Sequence, residues 1–196
     1  MNGRNDRLVL KFGGTSMGDA DRIAHSAGIA AAEARKGKAV AVVVSAMAGE
    51  TDRLLSHAET LGGGLGEVET DTVLAAGEQA SAALMALALK QAGLQAEAVL
   101  AWSLPIHVEG PPGAARITAI AGQGLEAMVK AGVIPVVAGY QGVSPHGRLA
   151  TLGRGGTDLT AVAVAAALGA ECDIYTDVDG VFTTDPRIEP GARRVE

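Results

Sequence analysis

Thr151-Leu152-Gly153-Arg154-Gly155-Gly156-Thr157-Asp158 gathers three glycines, a guanidinium, hydroxyls and a carboxylate into a turn that opens a helix. Glycine lets the backbone approach a ligand with no Cβ in the way, and free N–H groups at a helix start attract anions. Arg154 and Asp158 set one positive and one negative charge beside that spot. The same residues also suit an ordinary hairpin running into an N-capped helix, with Thr157 or Asp158 as the cap.

The neighbours of this turn set the fold class. Residues 140–152 carry a turn at 144–147 that suggests a hairpin, residues 157–168 are a small-residue helix, and 173–178 form a strand. The amino-terminal part repeats the scheme. Residues 8–12 are an apolar strand, Gly13-Gly14-Thr15-Ser16 a turn, and 19–36 a helix closed by Gly37. Residues 39–45 form an apolar run with no polar alternation, as expected of a strand covered on both faces. Helix 50–61 follows, then a glycine-rich loop at 62–66, one or two helices over 67–91 broken near Gly77, and strand 97–101. Three prolines leave 102–112 as loop with a short strand, before helix 124–130 and buried strand 133–138. Strands alternating with helices predict one three-layer α/β/α sandwich with a mainly parallel central sheet and ligands at the carboxyl ends of its strands.

Composition narrows the function classes. The 196 residues carry a net charge of −6 with no basic block, which argues against a nucleic-acid groove. Cys172 is alone, so no internal disulfide is possible, and none of His25, His57, His107 or His146 lies near it with zinc spacing. The first residues lack the apolar core and cleavage site of a secretory signal, so a cytoplasmic protein is expected. The longest apolar runs, 39–48 and 161–170, stop short of the ~20 residues of a membrane span, and no membrane partner is expected.

Two glycine patterns imitate known sites. Gly122-Gln123-Gly124-Leu125-Glu126-Ala127 matches G-x-G-x-x-A, but no Asp or Glu stands between Ala127 and Thr157 to hold a ribose. Gly14-Thr15-Ser16-Met17-Gly18 matches the G-x-S-x-G of hydrolases, yet follows the first strand, before any strand that would build an oxyanion side. Anion binding accounts for the neighbours better. Lys11 at a strand end and the N–H groups of Gly13, Gly14 and Ser16 can converge on phosphate oxygens, although the P-loop pattern is absent.

Glu78, next to Gly77 in an apolar run, reads either as a surface residue or as the partner of an ammonium group. Paired with Arg154 it would hold a zwitterionic amino acid, carboxylate to ammonium and guanidinium to carboxylate. The run Thr176-Asp177-Val178-Asp179-Gly180-Val181-Phe182-Thr183-Thr184-Asp185-Pro186-Arg187 does not fit an EF-hand and reads, unaided, as turn chemistry.

Taken together, 11–18 (KFGGTSMG), 44–51 (VSAMAGET), 151–158 (TLGRGGTD) and 176–187 (TDVDGVFTTDPR) resemble the catalytic domain of aspartokinases, in the amino-acid kinase family. Gly77-Glu78-Gln79 and Gly139-Tyr140-Gln141-Gly142 add weaker support. The resemblance implies ATP-dependent phosphorylation of the β-carboxylate of L-aspartate, at the entry to lysine, threonine and methionine synthesis. It implies that Lys11, Gly13 and Gly14 handle the transferred phosphate and that Asp158 orients the lysine. Ser45 and Thr51 would sit on the substrate side, Glu78 would take the ammonium and Arg154 the carboxylate. Thr176, Asp177, Phe182 and Arg187 would surround the nucleotide, Phe182 standing where a tyrosine is common. Mg²⁺ would be held mainly by phosphates and water, with no protein ligand named, and the protein would be a homo-oligomer. Aspartokinases continue beyond the position of Glu196 with more of the kinase domain and ACT regulatory domains, so a carboxyl-terminally incomplete domain is expected. A fragment that keeps the fold as a binding or assembly module is the alternative.

Overall fold

Along β1 (Arg7–Phe12), Leu8, Leu10 and Phe12 join one buried cluster and Val9 another, the period-two alternation of a strand covered on both faces. The computed structural model describes residues 6–176, 189 and 191–193, so Asp177, Phe182 and Arg187 lie outside the described residues. β2 (Ala39–Val44), β3 (Gln95–Val99), β6 (Val133–Ala138) and β9 (Glu171–Tyr175) complete a parallel five-stranded sheet in the order β3-β6-β2-β1-β9.

Helices cover both faces. α1 (Ala20–Arg35) and α3 (Val68–Gln91) pack Ile23, Ala27, Met85 and Leu89 on the cluster of Leu8, Leu10 and Phe12. α4 (Gly122–Lys130) and α5 (Gly156–Leu168) pack Leu125, Ala161, Val164 and Leu168 on the opposite cluster. α2 (Glu50–Thr60) leads from β2 toward α3 and buries none of its residues. A second sheet, β5-β4-β7-β8, is built from β4 (Ile106–Glu109), β5 (Arg116–Ile120), β7 (Gln141–Val143) and β8 (Leu149–Thr151). The hairpin expected over 140–152 is the antiparallel pair of β7 and β8.

Several expectations are corrected. α3 runs unbroken through Gly77, because a side chain there would meet the Ala46 Cβ at 2.9 Å; the glycine lets the helix approach the loop after β2. α3 is also long and apolar enough by composition to cross a membrane, unlike the runs singled out in the sequence, but half of its most apolar window is buried in the core. Gly124 lies inside α4, where a Cβ would overlap Leu104 Cδ2 at 2.1 Å, so its glycine serves helix packing. β5 was not expected at all: its residues are exposed or half-buried and carry no clean apolar alternation.

Candidate functional site

β1, β2 and β6 end side by side, with Phe12 opposite Val44 and Val44 opposite Ala138. Ser45 N–H donates to the Phe12 carbonyl and Gly139 N–H to the Val44 carbonyl, so the three following turns leave the sheet from one edge. There they enclose a cavity of about 340 Å³ lined by Lys11, Gly14, Ser45, Thr51, Glu78 and Asp158, among others. That volume is at the small end of the range for ligand sites.

Lys11 points to the face of β1 that carries α5. Its Nζ lies 2.7 Å from Asp158 Oδ1, with the lysine side chain 9% and the aspartate 47% exposed. Asp158 does not cap the helix: the N-cap is Gly155 at φ 73°, and no side chain accepts a capping bond. Gly156 N–H donates to the Gly153 carbonyl at 2.9 Å, so among the described residues the Thr157 and Asp158 amides of the first turn of α5 are left for a ligand, and Gly155, Gly156 and Thr157 line the cavity. A side chain at Gly156 would meet Leu152 Cβ at 2.6 Å and the Tyr140 ring at 2.9 Å, and one at Gly139 would meet Thr157 Cγ2 at 2.6 Å. Glycine at both positions lets the helix start close against the sheet edge.

On the other side, Glu78 of α3 is only 3% exposed. Its Oε1 accepts the Ala46 N–H at 3.1 Å, while its Oε2 is buried with no hydrogen-bond partner among the described residues. Burial pushes its carboxyl up to about 7, partly opposed by the Ala46 N–H. A buried carboxylate oxygen left open beside a cavity is suited to a cationic ligand group, which would supply the missing partner.

The structure therefore brings Lys11, Gly14, Ser45, Thr51, Glu78 and Asp158 to one cavity. Gly13 stands beside it and not in its lining: its N–H donates to the Tyr175 carbonyl at 3.3 Å, and a Cβ there would lie 3.3 Å from Lys11 Nζ. Arg154 is exposed in the turn just before the lining glycines, with no hydrogen bond or ion pair to the described residues. Thr176 lines a different cavity, with Phe12, Thr15, Ser16, Arg22 and His25. Ser16 sits in a short 3-10 helix, Gly14–Met17, and its carbonyl accepts the Ser26 hydroxyl at 3.0 Å; no nucleophile elbow forms. Among the described residues, no group of three or more His, Cys, Asp or Glu is arranged to hold a metal ion.

Tyr140 lines the cavity with a left-handed backbone at φ 65°. Such a conformation costs a non-glycine residue about 1–3 kcal/mol, and strain of that kind collects at functional sites. Tyr140 N–H donates to Thr160 Oγ1 and its carbonyl accepts from Leu152 N–H, which hold the backbone there, and burial raises its phenol above the usual range. The sequence flagged the Gly139–Gly142 block but gave Tyr140 no role; the glycines flanking Tyr140-Gln141 were the available signal. The fully buried Asp71 also went unnoticed. It stands seven residues before Glu78, two helical turns along the same face of α3, and that spacing could have exposed it.

Residues 6–196 match the model of the Amino acid kinase family. The chain is 47% identical over 190 residues to aspartokinase 2 of Bacillus subtilis (strain 168), covering 96% of this chain and 47% of that protein. It is 46% identical over 190 residues to aspartate kinase of Pseudomonas putida, covering 96% of this chain and 46% of the relative. Among solved structures, E. coli aspartokinase III in complex with aspartate and ADP superposes with a TM-score of 0.79 at 28% identity, over 96% of this chain and 53% of that one. The aspartate kinase from Synechocystis superposes with a TM-score of 0.74 at 40% identity, over 95% of this chain and 31% of that one. The chain spans about half the length of the curated relatives it matches.

Proposed function

The chain belongs to the amino acid kinase family, and from that membership we propose that it transfers the γ-phosphoryl group of ATP to the β-carboxylate of L-aspartate, forming 4-phospho-L-aspartate. The observation that carries this reading is the two-sided cavity, with the Lys11–Asp158 ion pair and the start of α5 on one side and the open Oε2 of Glu78 on the other. The first pole suits phosphate oxygens and the second an ammonium group. The E. coli relative bound to aspartate and ADP supports the pairing of ligands.

The chemistry asks little of the protein beyond placement. A carboxylate is ionised at neutral pH, so an oxygen of the β-carboxylate can attack the γ-phosphorus without a general base, and the bond to the β-phosphate oxygen breaks to release ADP. Lys11 and the Thr157 and Asp158 amides of α5 neutralise charge on the transferred group, and Asp158 holds the lysine ammonium toward it. Glu78 receives the α-ammonium and the Arg154 guanidinium the α-carboxylate, while Ser45 and Thr51 border the substrate. Mg²⁺ would be held mainly by the phosphates and water and would supply further charge neutralisation there. Thr176, Asp177, Phe182 and Arg187 are assigned to the nucleotide on the family resemblance alone.

The product is an activated acid that feeds lysine, threonine and methionine synthesis, in a cytoplasmic homo-oligomer. Trapping the acyl phosphate with hydroxylamine tests the reading. ATP, Mg²⁺ and aspartate together should yield aspartyl hydroxamate, and omission of any one should abolish it. A folded protein that binds aspartate with no hydroxamate formed would reassign the chain as a binding module.

A further inference from the structure

Asp71 is completely buried, yet it belongs to neither pole of the cavity. Its Oδ1 accepts the Thr151 hydroxyl at 2.7 Å, and its Oδ2 accepts the Thr151 N–H at 2.8 Å and the Gly113 N–H at 3.1 Å. One carboxyl group thus grips both donors of a residue three positions before Arg154. Burial of a carboxyl is costly unless its oxygens are matched in this way, and here donors reach both. The same helix carries Glu78 two turns further on, so α3 fixes one substrate contact directly and the strand that leads into the other through Asp71.

Arg154 needs such an anchor. Its side chain is exposed and has no hydrogen bond or ion pair to the described residues, so among these the path of the backbone decides where the guanidinium sits. Upstream, that path is fixed by the Asp71–Thr151 pair, by Ala115 N–H on the Thr151 carbonyl and by Leu152 N–H on the Tyr140 carbonyl. The start of α5 shares Tyr140 with that path, since Thr160 Oγ1 accepts from Tyr140 N–H and donates to the Gly156 carbonyl, but it has in the Lys11 ion pair an anchor of its own that Asp71 does not touch.

We propose that Asp71 is a positioning residue for the amino-acid substrate: through Thr151 it sets the distance between Arg154 and Glu78, and so the fit of the zwitterion, while leaving the phosphate side untouched. The inference rests on the reading of Arg154 and Glu78 as aspartate contacts. Asparagine at 71 would turn one acceptor into an NH₂ facing a donor, and a longer acid would push the strand away.

Steady-state kinetics of the full chain, with aspartate and ATP varied separately beside thermal unfolding, tests this. Asp71→Asn should raise the KM for aspartate roughly tenfold or more and leave that for ATP within about twofold, the signature of a displaced substrate contact. Thr151→Val, which loses only the hydroxyl, should move the same way to a smaller extent, and Thr151→Ser, which restores a hydroxyl donor, should return toward the parent. Equal rises in both KM values, or a loss of kcat that merely follows a lower melting temperature, overturns the proposal. If Asp71→Asn does not fold, the Thr151 pair decides by the same criterion. A parent chain that forms no acyl phosphate sinks the kinase reading and this inference with it, whereas an active parent with unselective variants refutes the inference alone.

Discussion

Lys11 Nζ and Asp158 Oδ1 meet at 2.7 Å across the join between the first strand of the sheet and the start of α5. The strand places Lys11 on the face that α5 covers, and the left-handed Gly155 starts the helix so that its first turn, with Asp158, stands at the strand's end. A lysine so held is aimed into the cavity instead of ranging through its rotamers, which is the pre-organisation that phosphoryl transfer requires.

Asp158→Asn keeps the shape and removes the charge that holds Lys11. It should lower kcat by up to about a hundredfold with small changes in either KM. Asp158 is not a cap, but its charge pairs with the buried Lys11 ammonium, so a modest fall in melting temperature should accompany the loss of kcat. A melting temperature that collapses while kcat per folded molecule is preserved would assign the residue to folding.

Arg154→Lys removes the planar fork and keeps the charge. Aspartate binding should weaken by up to about 3 kcal/mol and ATP binding little, as expected for loss of a charge-assisted bidentate contact. The exposed Arg154 supports no packing, so its unfolding curve should overlay that of the parent. An unchanged aspartate KM would remove Arg154 from the substrate contacts.

The sheet was legible because each of its central strands is a short apolar run and each turn after it carries glycine, as at Gly13-Gly14. Likewise the turn at 151–158 announced a ligand-facing helix start through its composition. What the sequence concealed is contact between distant segments. Gly77 looked like a helix break, since local propensity cannot show that Ala46 lies against it. Tyr140 gave no sign of its left-handed backbone, which tertiary hydrogen bonds impose. β5 escaped because it lies at one end of the second sheet with mixed exposure. The meeting of Lys11 with Asp158 could be anticipated only through resemblance, as no spacing rule predicts it.

Gly77→Ala opposes two effects of known size. Alanine favours a helix interior by about 1 kcal/mol over glycine. Its Cβ would, however, sit 2.9 Å from the Ala46 Cβ, and overpacking a tight contact costs about 1–3 kcal/mol. Net destabilisation is expected, together with weaker aspartate binding, because Ala46 N–H is the bond that orients Glu78. A variant more stable than the parent with unaltered aspartate KM would show that the contact is slack.

Glu78 makes both stability and substrate affinity depend on pH. Burial raises its folded value to about 7 from 4.5. Because the folded value is the higher one, its contribution is intact below about pH 4.5, is lost as the pH rises toward 7 and stays lost above, a swing on the order of 3 kcal/mol. Glu78→Gln should flatten this loss and melt higher than the parent above pH 7. Substrate affinity should follow the opposite trend. An ammonium at Oε2 favours the ionised form, so binding below pH 7 must expel a proton, and affinity for aspartate should fall by about tenfold per pH unit there. Calorimetric titration of aspartate at about pH 6, in two buffers of different ionisation enthalpy, measures that proton directly. A binding heat independent of the buffer, with affinity flat across neutrality, would mean that Glu78 is already ionised in the free protein or does not meet the ammonium group at all.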